Sequence, residues 1–471
     1  MSLLFVAIPL FAVVALNVLY KLLKAKDALY VAMLVALAQL GLAVYDLVLC
    51  VNTGTSIFSA YITGFRVDWI AASVLAIIGL ILFVTALLTK EVVKQSVFQF
   101  ANVLLLLMVG MNGIVMSQDL FTLYVFIEVT SAASFILIAI NKKREELEGA
   151  FKYYLMSALA TVMMLLSIAL LYIMAGGASF ETVGAYIKSL NGAYPPAMIA
   201  AILLFVGAGS IKSGVVPFHT WVPDAHSSAP SPVSVVLAGV VIKVSGVYSL
   251  MRVYRDVFQN DTAMGKVLMI LGIVSILVGA LGALGQTDIK RMLAFSSVSQ
   301  IGYIVLGVAT GSAIGLIGAM LHFFNHATFK SLLFVDAAAI IKQTGTRDMD
   351  KLGGLGERMP VTSTSSVIAL LSMAGIPPLS GFWSKLLVII AVWQVSKGLA
   401  IAALCLSVLT LAYFLLLQKK VFFGKINPTL KDVKEASPAI VSIEVLLSAL
   451  NIAVGVAFPF LLIALQNSGL V

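Results

Sequence analysis

The feature that most constrains this chain is its succession of apolar runs, each long enough to be a spanning helix, separated by short polar loops. A helix rises about 1.5 Å per residue, so about 20 apolar residues cross a hydrocarbon layer about 30 Å thick. In lipid every backbone N–H and C=O must be satisfied internally, which leaves helices and closed barrels. Barrel strands would alternate in polarity over segments of about ten residues; these runs do not alternate. Only 11% of residues are charged, against about 25% in soluble domains. The fold class expected is an all-α polytopic membrane protein.

Fourteen spans are expected, over about 2–22, 28–50, 68–89, 97–116, 119–140, 152–175, 197–218, 232–252, 265–286, 291–311, 313–341, 361–396, 399–419 and 438–465. The first run lacks a basic leader and a small-residue cleavage site, so it reads as a span rather than a removable signal. Residues 52–67 read as a small outer hairpin. The net charge of +9 sits in short loops, which argues for orientation and against nucleic-acid binding. Odd-numbered loops carry nineteen Lys and Arg residues, even-numbered loops six. The positive-inside rule then places odd loops in the cytoplasm and both termini outside. Residues 420–437, basic again, are expected at the inner surface. Cys50 and Cys405 are far apart and form no metal or disulfide pattern.

With residues at the span ends counted as loop charges, five of the 30 basic residues are left to the spans: Lys152, Lys212, Lys243, Lys330 and Lys385. A lysine near the bilayer centre costs about 2.5–3.5 kcal/mol on insertion scales, so these positions need a reason. Lys152 starts its span and is expected to snorkel. Lys212 lies in a run interrupted by Gly207, Gly209, Gly214 and Pro217, which reads as a broken helix. Lys243 is close to mid-span, with Gly239 and Gly246 on its face leaving a groove beside the ammonium. Glu128 is mid-span with Ser131 one turn on, and pairing with a lysine would stabilise both charges. His322, His326 and Lys330 recur every four residues, forming one stripe suited to passing protons. Haem is disfavoured, because one helix does not supply axial ligands on both faces of an iron, and His219 and His226 lie near a loop. Glu444 has no evident partner beyond contact with a neighbouring subunit. GVVPFHTW at 214–221 echoes GIPPLSGFW at 375–383, five spans apart. An odd offset inverts the second copy, as in transporters built from inverted repeats with discontinuous helices.

The segments DLFTLYVFIE, KSGVVPFHTWVPDAHSSAPSPVSVVLAGVVIK, QTDIKRMLAFSSVSQIGY, HFFNHATFKSLLF and GIPPLSGFWSK resemble the antiporter-like subunit family. That family comprises large subunits of Mrp-type sodium/proton antiporters, proton-pumping subunits of respiratory complex I, and subunits of related membrane-bound hydrogenase-type complexes. The resemblance covers about residues 60–420. It implies about 14 helices with discontinuous spans 7 and 12. The implied divisions are helices 1–3 over 1–94, one five-helix repeat over 95–255, a second over 256–420, and an inner-surface segment with the last helix over 421–471. Carried over by motif, Glu128 and Lys212 match the family's glutamate–lysine pair and Lys243 its central lysine. His322 and Lys330 match the next relay, and Lys385 the terminal lysine.

The expected function is proton translocation by one subunit of a multisubunit membrane complex, through a buried Glu/Lys/His relay driven by a partner redox module. The alternatives are a subunit of a stand-alone Mrp-type sodium/proton antiporter and, from another class, a quinone- or haem-binding redox subunit. No cofactor or metal of its own is expected. The expected partners are other integral membrane subunits, membrane lipid, and protons, with sodium as the alternative ion.

Overall fold

A computed structural model describes residues 2–53 and 64–467. The expected hairpin over 52–67 falls mainly on 54–63, outside the described residues. The chain is an all-helical, multi-pass membrane protein. Its first eight helices are α1 (Leu4–Val18), α2 (Ala25–Thr53), α3 (Trp69–Val92), α4 (Val97–Met116), α5 (Leu120–Ile138), α6 (Arg144–Ala175), the short α7 (Phe180–Ser189) and α8 (Pro196–Ser213). They are followed by the short α9 (Trp221–Ser228), α10 (Ser231–Asp256), α11 (Thr262–Leu284), α12 (Ile289–Ala309) and α13 (Ala313–Thr344). The last are α14 (Pro360–Ala374), α15 (Ser380–Val395), α16 (Lys397–Val421) and α17 (Pro438–Asn467). Among the described residues eleven helices are long and apolar enough to cross a membrane by length and composition, and α1, α14 and α15 are shorter apolar helices. The 32-residue α13 stands apart from both groups, because it carries the polar stripe.

Aspartates outside the helices start several of them. Asp68 accepts from the Ala71 N–H ahead of α3, Asp119 from Phe121 and Thr122 ahead of α5, Asp261 from Met264 ahead of α11, and Asp288 from Arg291 ahead of α12. Each satisfies N–H groups that a helix start leaves without partners. Helices pack closely where side chains are small: a Cβ on Gly302 of α12 would lie 2.6 Å from the Gly272 carbonyl of α11.

Burial is uneven. The apolar window of α10 is 100% buried and that of α12 94%, while those of α2, α6 and α16 are each 28% buried. The outer helices therefore present apolar side chains to lipid or partners, and α10 forms an axis with no route for a side chain to snorkel. Arg252 of α10, at the end of the span expected over 232–252 and counted there as a loop charge, is buried and clamps α3: its guanidinium reaches Asp68 at 2.6 and 2.7 Å and donates to the Tyr248 hydroxyl at 2.8 Å.

Two helices are interrupted. α8 stops at Gly214 (φ 64°), six irregular residues follow, and α9 begins at Trp221. α14 stops at Gly375 (φ 85°) and α15 resumes at Ser380. Glycine suits a left-handed terminal position because it has no Cβ. The expectation that Gly207 and Gly209 also break the first span is corrected: both lie inside continuous α8. They serve close packing instead, a Cβ on Gly209 falling 3.1 Å from Leu250 Cδ1 of α10. A departure that no sequence signal announced lies within α10. Residues Leu237–Val241 and Lys243–Tyr248 wind as π-helix, the second stretch starting at Lys243. Such widened turns are rare and concentrate at functional sites.

Candidate functional site

Glu128 on α5 and Lys212 in the last turn of α8 meet directly, Nζ lying 3.3 Å from Oε1. Lys212 also donates to Ser131 Oγ at 2.8 Å and to Ser157 Oγ of α6 at 2.5 Å, so its three protons have three acceptors. Thr161, one turn beyond Ser157, donates to the same Glu128 oxygen at 2.5 Å. Ser131 was expected from spacing; Ser157 and Thr161 come from a helix the sequence did not connect to the pair. The two partners differ in setting. The Lys212 side chain is 1% exposed, whereas that of Glu128 is 37% exposed and opens to the lateral surface.

Lys243 is fully buried on α10. Its Nζ donates to the Ala238 carbonyl within the widened turn and lies 3.0 Å from His326 Nδ1 of α13. The expected groove beside it is absent, because Gly239 packs against Ile81 and Ser331 and Gly246 against the Ser213 backbone. The imidazole in contact with Lys243 is thus His326 rather than His322. His322 lies one turn further along α13, its ring centroid 6.5 Å from that of His326. His322 Nδ1 is 2.9 Å from Ser384 Oγ of α15. Lys385 follows Ser384 just past the second break; its ammonium sits 4.8 Å over the Tyr303 ring, without a hydrogen-bond partner among the described residues. Lys330 turns the other way and donates to the Leu293 carbonyl at 2.8 Å and to Ser296 on α12. The expected stripe therefore divides: both histidines lie between Lys243 and Lys385, while Lys330 points to α12.

Further buried groups lie beside this row. His226 of α9, read as near a loop, is completely buried and stacks on Phe334 at 4.9 Å. Lys290, counted among loop charges, is 4% exposed and donates to the Ala229 carbonyl at 2.6 Å. It borders a cleft of about 850 Å³ that also touches Lys94, Arg144, Glu146 and Arg347. Both residues fall in motifs already quoted, but flanking charges and prolines masked their burial. Lys152 behaves as expected: it is exposed and pairs with Glu148 at 2.8 Å and Asp224 at 3.2 Å. Glu444 is corrected, since it is buried against α13 and α14 rather than facing outward. Among the described residues no three His, Cys, Asp or Glu side chains converge as metal ligands would.

The fold and site define a multi-pass helical membrane protein with interrupted helices and a row of buried ammonium and imidazole groups, which in membrane proteins mark substrate or ion pathways. Residues 117–410 match the family described as NADH:quinone oxidoreductase/Mrp antiporter, TM, and the chain belongs to that family. It is 36% identical over 319 residues to NADH-quinone oxidoreductase subunit N of Desulforudis audaxviator, covering 67% of this chain and 63% of that protein. It is 38% identical over 398 residues to a Na(+)/H(+) antiporter subunit of Alkalihalophilus pseudofirmus, covering 78% of this chain and 49% of the other. The chain thus spans less than two thirds of either relative. A chain of the Mrp complex from Dietzia sp. DQ12-45-1b superposes with a TM-score of 0.89 at 25% identity, over 99% of this chain and 96% of that one.

Proposed function

We propose that this protein translocates protons as one subunit of a multisubunit membrane complex, driven by a partner redox module. The observation that carries the reading is the row of buried lysines Lys212, Lys243 and Lys385, with Lys212 held by hydroxyls, Lys243 against His326, and Lys385 next to Ser384, which meets His322. Glu128 and Lys212 form the switchable pair. While the carboxylate faces Lys212, the ammonium is held charged; when Glu128 turns away, Lys212 loses that support and releases its proton inward. Lys243 and His326 carry the charge across the axis, and His322 with Ser384 passes it to Lys385. Lys330 acts from the α12 side, setting the field around Lys243 and His326 without lying in the direct file. The partial exposure of Glu128 supports control by a neighbouring subunit packed on that face.

In this reading the chain spans the membrane fourteen times with both termini outside. Residues 95–255 and 256–420 are inverted five-helix repeats, each containing one glycine-capped break. Relatives named as quinone oxidoreductase and as sodium/proton antiporter subunits support two driving forces, electron transfer and a sodium gradient. The test is proton movement into vesicles holding the intact complex, with and without sodium on either side. Redox-driven acidification that persists without sodium supports the first; proton movement only against a sodium gradient supports the Mrp-type alternative. No proton movement under either condition would remove the proposal.

A further inference from the structure

Glu444 on α17 is completely buried, and Thr362 Oγ1 of α14 lies 3.0 and 3.3 Å from its two oxygens. The same hydroxyl lies 2.8 Å from Glu435 Oε1. Asp336 of α13 reaches the same stretch of α14 through Ser365, which lies one turn from Thr362. Asp336 is 2% exposed; Oδ1 accepts from Ser365 at 2.8 Å, and Oδ2 has no hydrogen-bond partner among the described residues. A threonine hydroxyl has one proton, so it satisfies one of the carboxylate oxygens around it. Glu435 has a second donor in the Val361 N–H at 2.7 Å; Asp336 Oδ2 has none.

Nothing positive balances the group. Among the described residues no lysine or arginine forms an ion pair with Asp336, Glu435 or Glu444. The charged group facing the pair is Glu435, from the segment before α17. At the mouth, Glu91 of α3 is held by Lys342 at 3.3 Å and Ser437 at 2.8 Å. α14 and α16 contribute neutral groups there, Ser365 and Ser366 with Gln418. Two adjacent buried carboxyls without a cation do not both ionise.

Polar groups continue from the pair towards the second break. Ser448, one turn along α17, is buried, its hydroxyl unpartnered among the described residues. Asn451, a turn further, accepts from Ser372 at 3.3 Å and Thr328 at 3.5 Å. Ser372 lies 3.3 Å from Ser380 Oγ. Asn325 then donates to the Ser380 carbonyl at 2.8 Å and to Ser384 Oγ at 3.1 Å, the hydroxyl beside His322.

We propose that Asp336 and Glu444 share one proton and form a proton-loading site on the basic-loop side, feeding His322 and Lys385 through this file of amides and hydroxyls. The sharing of the proton stands alone; its delivery to Lys385 rests on the relay proposed above. The test is infrared difference spectroscopy of the intact purified complex. Expected is a protonated-carboxyl band present at neutral pH, lost in Asp336→Asn and in Glu444→Gln and unchanged by sodium chloride. Thr362→Val keeps both carboxyls and is expected to shift the band, which provides a readout where a carboxyl variant fails to assemble. A band unaffected by all three substitutions would overturn the proposal, and so would a band abolished by sodium, which would make the pair a sodium site. The Lys243→Arg complex separates this from the relay: it is expected to lose transport and keep the band.

Discussion

Lys243 and His326 meet directly: Nζ lies 3.0 Å from Nδ1, across the contact of α10 and α13, and neither side chain is exposed. A charged lysine donates to a neutral imidazole, and a charged imidazole donates to a neutral lysine. In the proposed relay either base holds the proton in turn. His326→Ala is therefore expected to slow proton movement about 100-fold or more, with near-normal abundance of the assembled complex. Vesicle proton uptake with parallel immunodetection checks this; unchanged uptake would leave His326 a packing residue.

At the other end of the row, Glu128→Gln keeps the shape that Thr161 and Lys212 contact but removes the negative charge. Assembly is expected to survive and pumping to fall to background, measured as acidification of vesicles. Normal pumping by assembled Glu128→Gln complex would take Glu128 out of the mechanism.

Much of this arrangement was legible from residue type and depth alone. Glu128, Lys212, Lys243 and Lys385 are ionisable groups in apolar runs, and each is where such a group would be costly without a partner. Legibility failed where a contact depends on helix rotation. Four-residue spacing placed His322, His326 and Lys330 on one stripe, yet a stripe does not say which neighbour each tip meets, and Lys330 turns to α12. Gly207 and Gly209 looked like a break but serve contact with α10. His226, Lys290 and Glu444 were hidden by the opposite error, since nearby loops and an absent cation made them look peripheral or unpaired, and Asp336 was not singled out at all.

Sidedness rests on the excess of basic residues in odd loops. Single cysteines placed in 142–148, in a background lacking Cys50 and Cys405, are expected to react with an impermeant thiol reagent from the cytoplasmic side only. Cysteines near 52–60 are expected to react from outside only. The reverse pattern would invert the orientation of every path described.

Asp68, just ahead of α3, offers a test of the buried clamp. Burial pushes its carboxyl up, but Arg252 and the Ala71 N–H outweigh this and hold it at about 2, below the usual 3.8. The folded value is the lower one, so the stabilisation is complete above the ordinary carboxyl value and is lost as pH falls through about 2. Asp68→Ala leaves buried Arg252 with Asp256, at 3.3 Å, as its remaining carboxylate, and is expected to cost about 3 kcal/mol, the low end for breaking a buried pair. Thermal unfolding of the detergent-solubilised protein at neutral pH reads this as a lowered Tm, and an unchanged Tm would show that Arg252 finds other support.

The most direct test of proton passage along the row is vesicle proton transport by Lys243→Arg, with complex abundance measured beside it. Arginine keeps a positive charge between α10 and α13 but does not release its proton. Expected is a normally abundant complex whose proton movement falls to background. Wild-type transport by that variant would contradict the relay, leaving Lys243 as a fixed charge that holds two helices together.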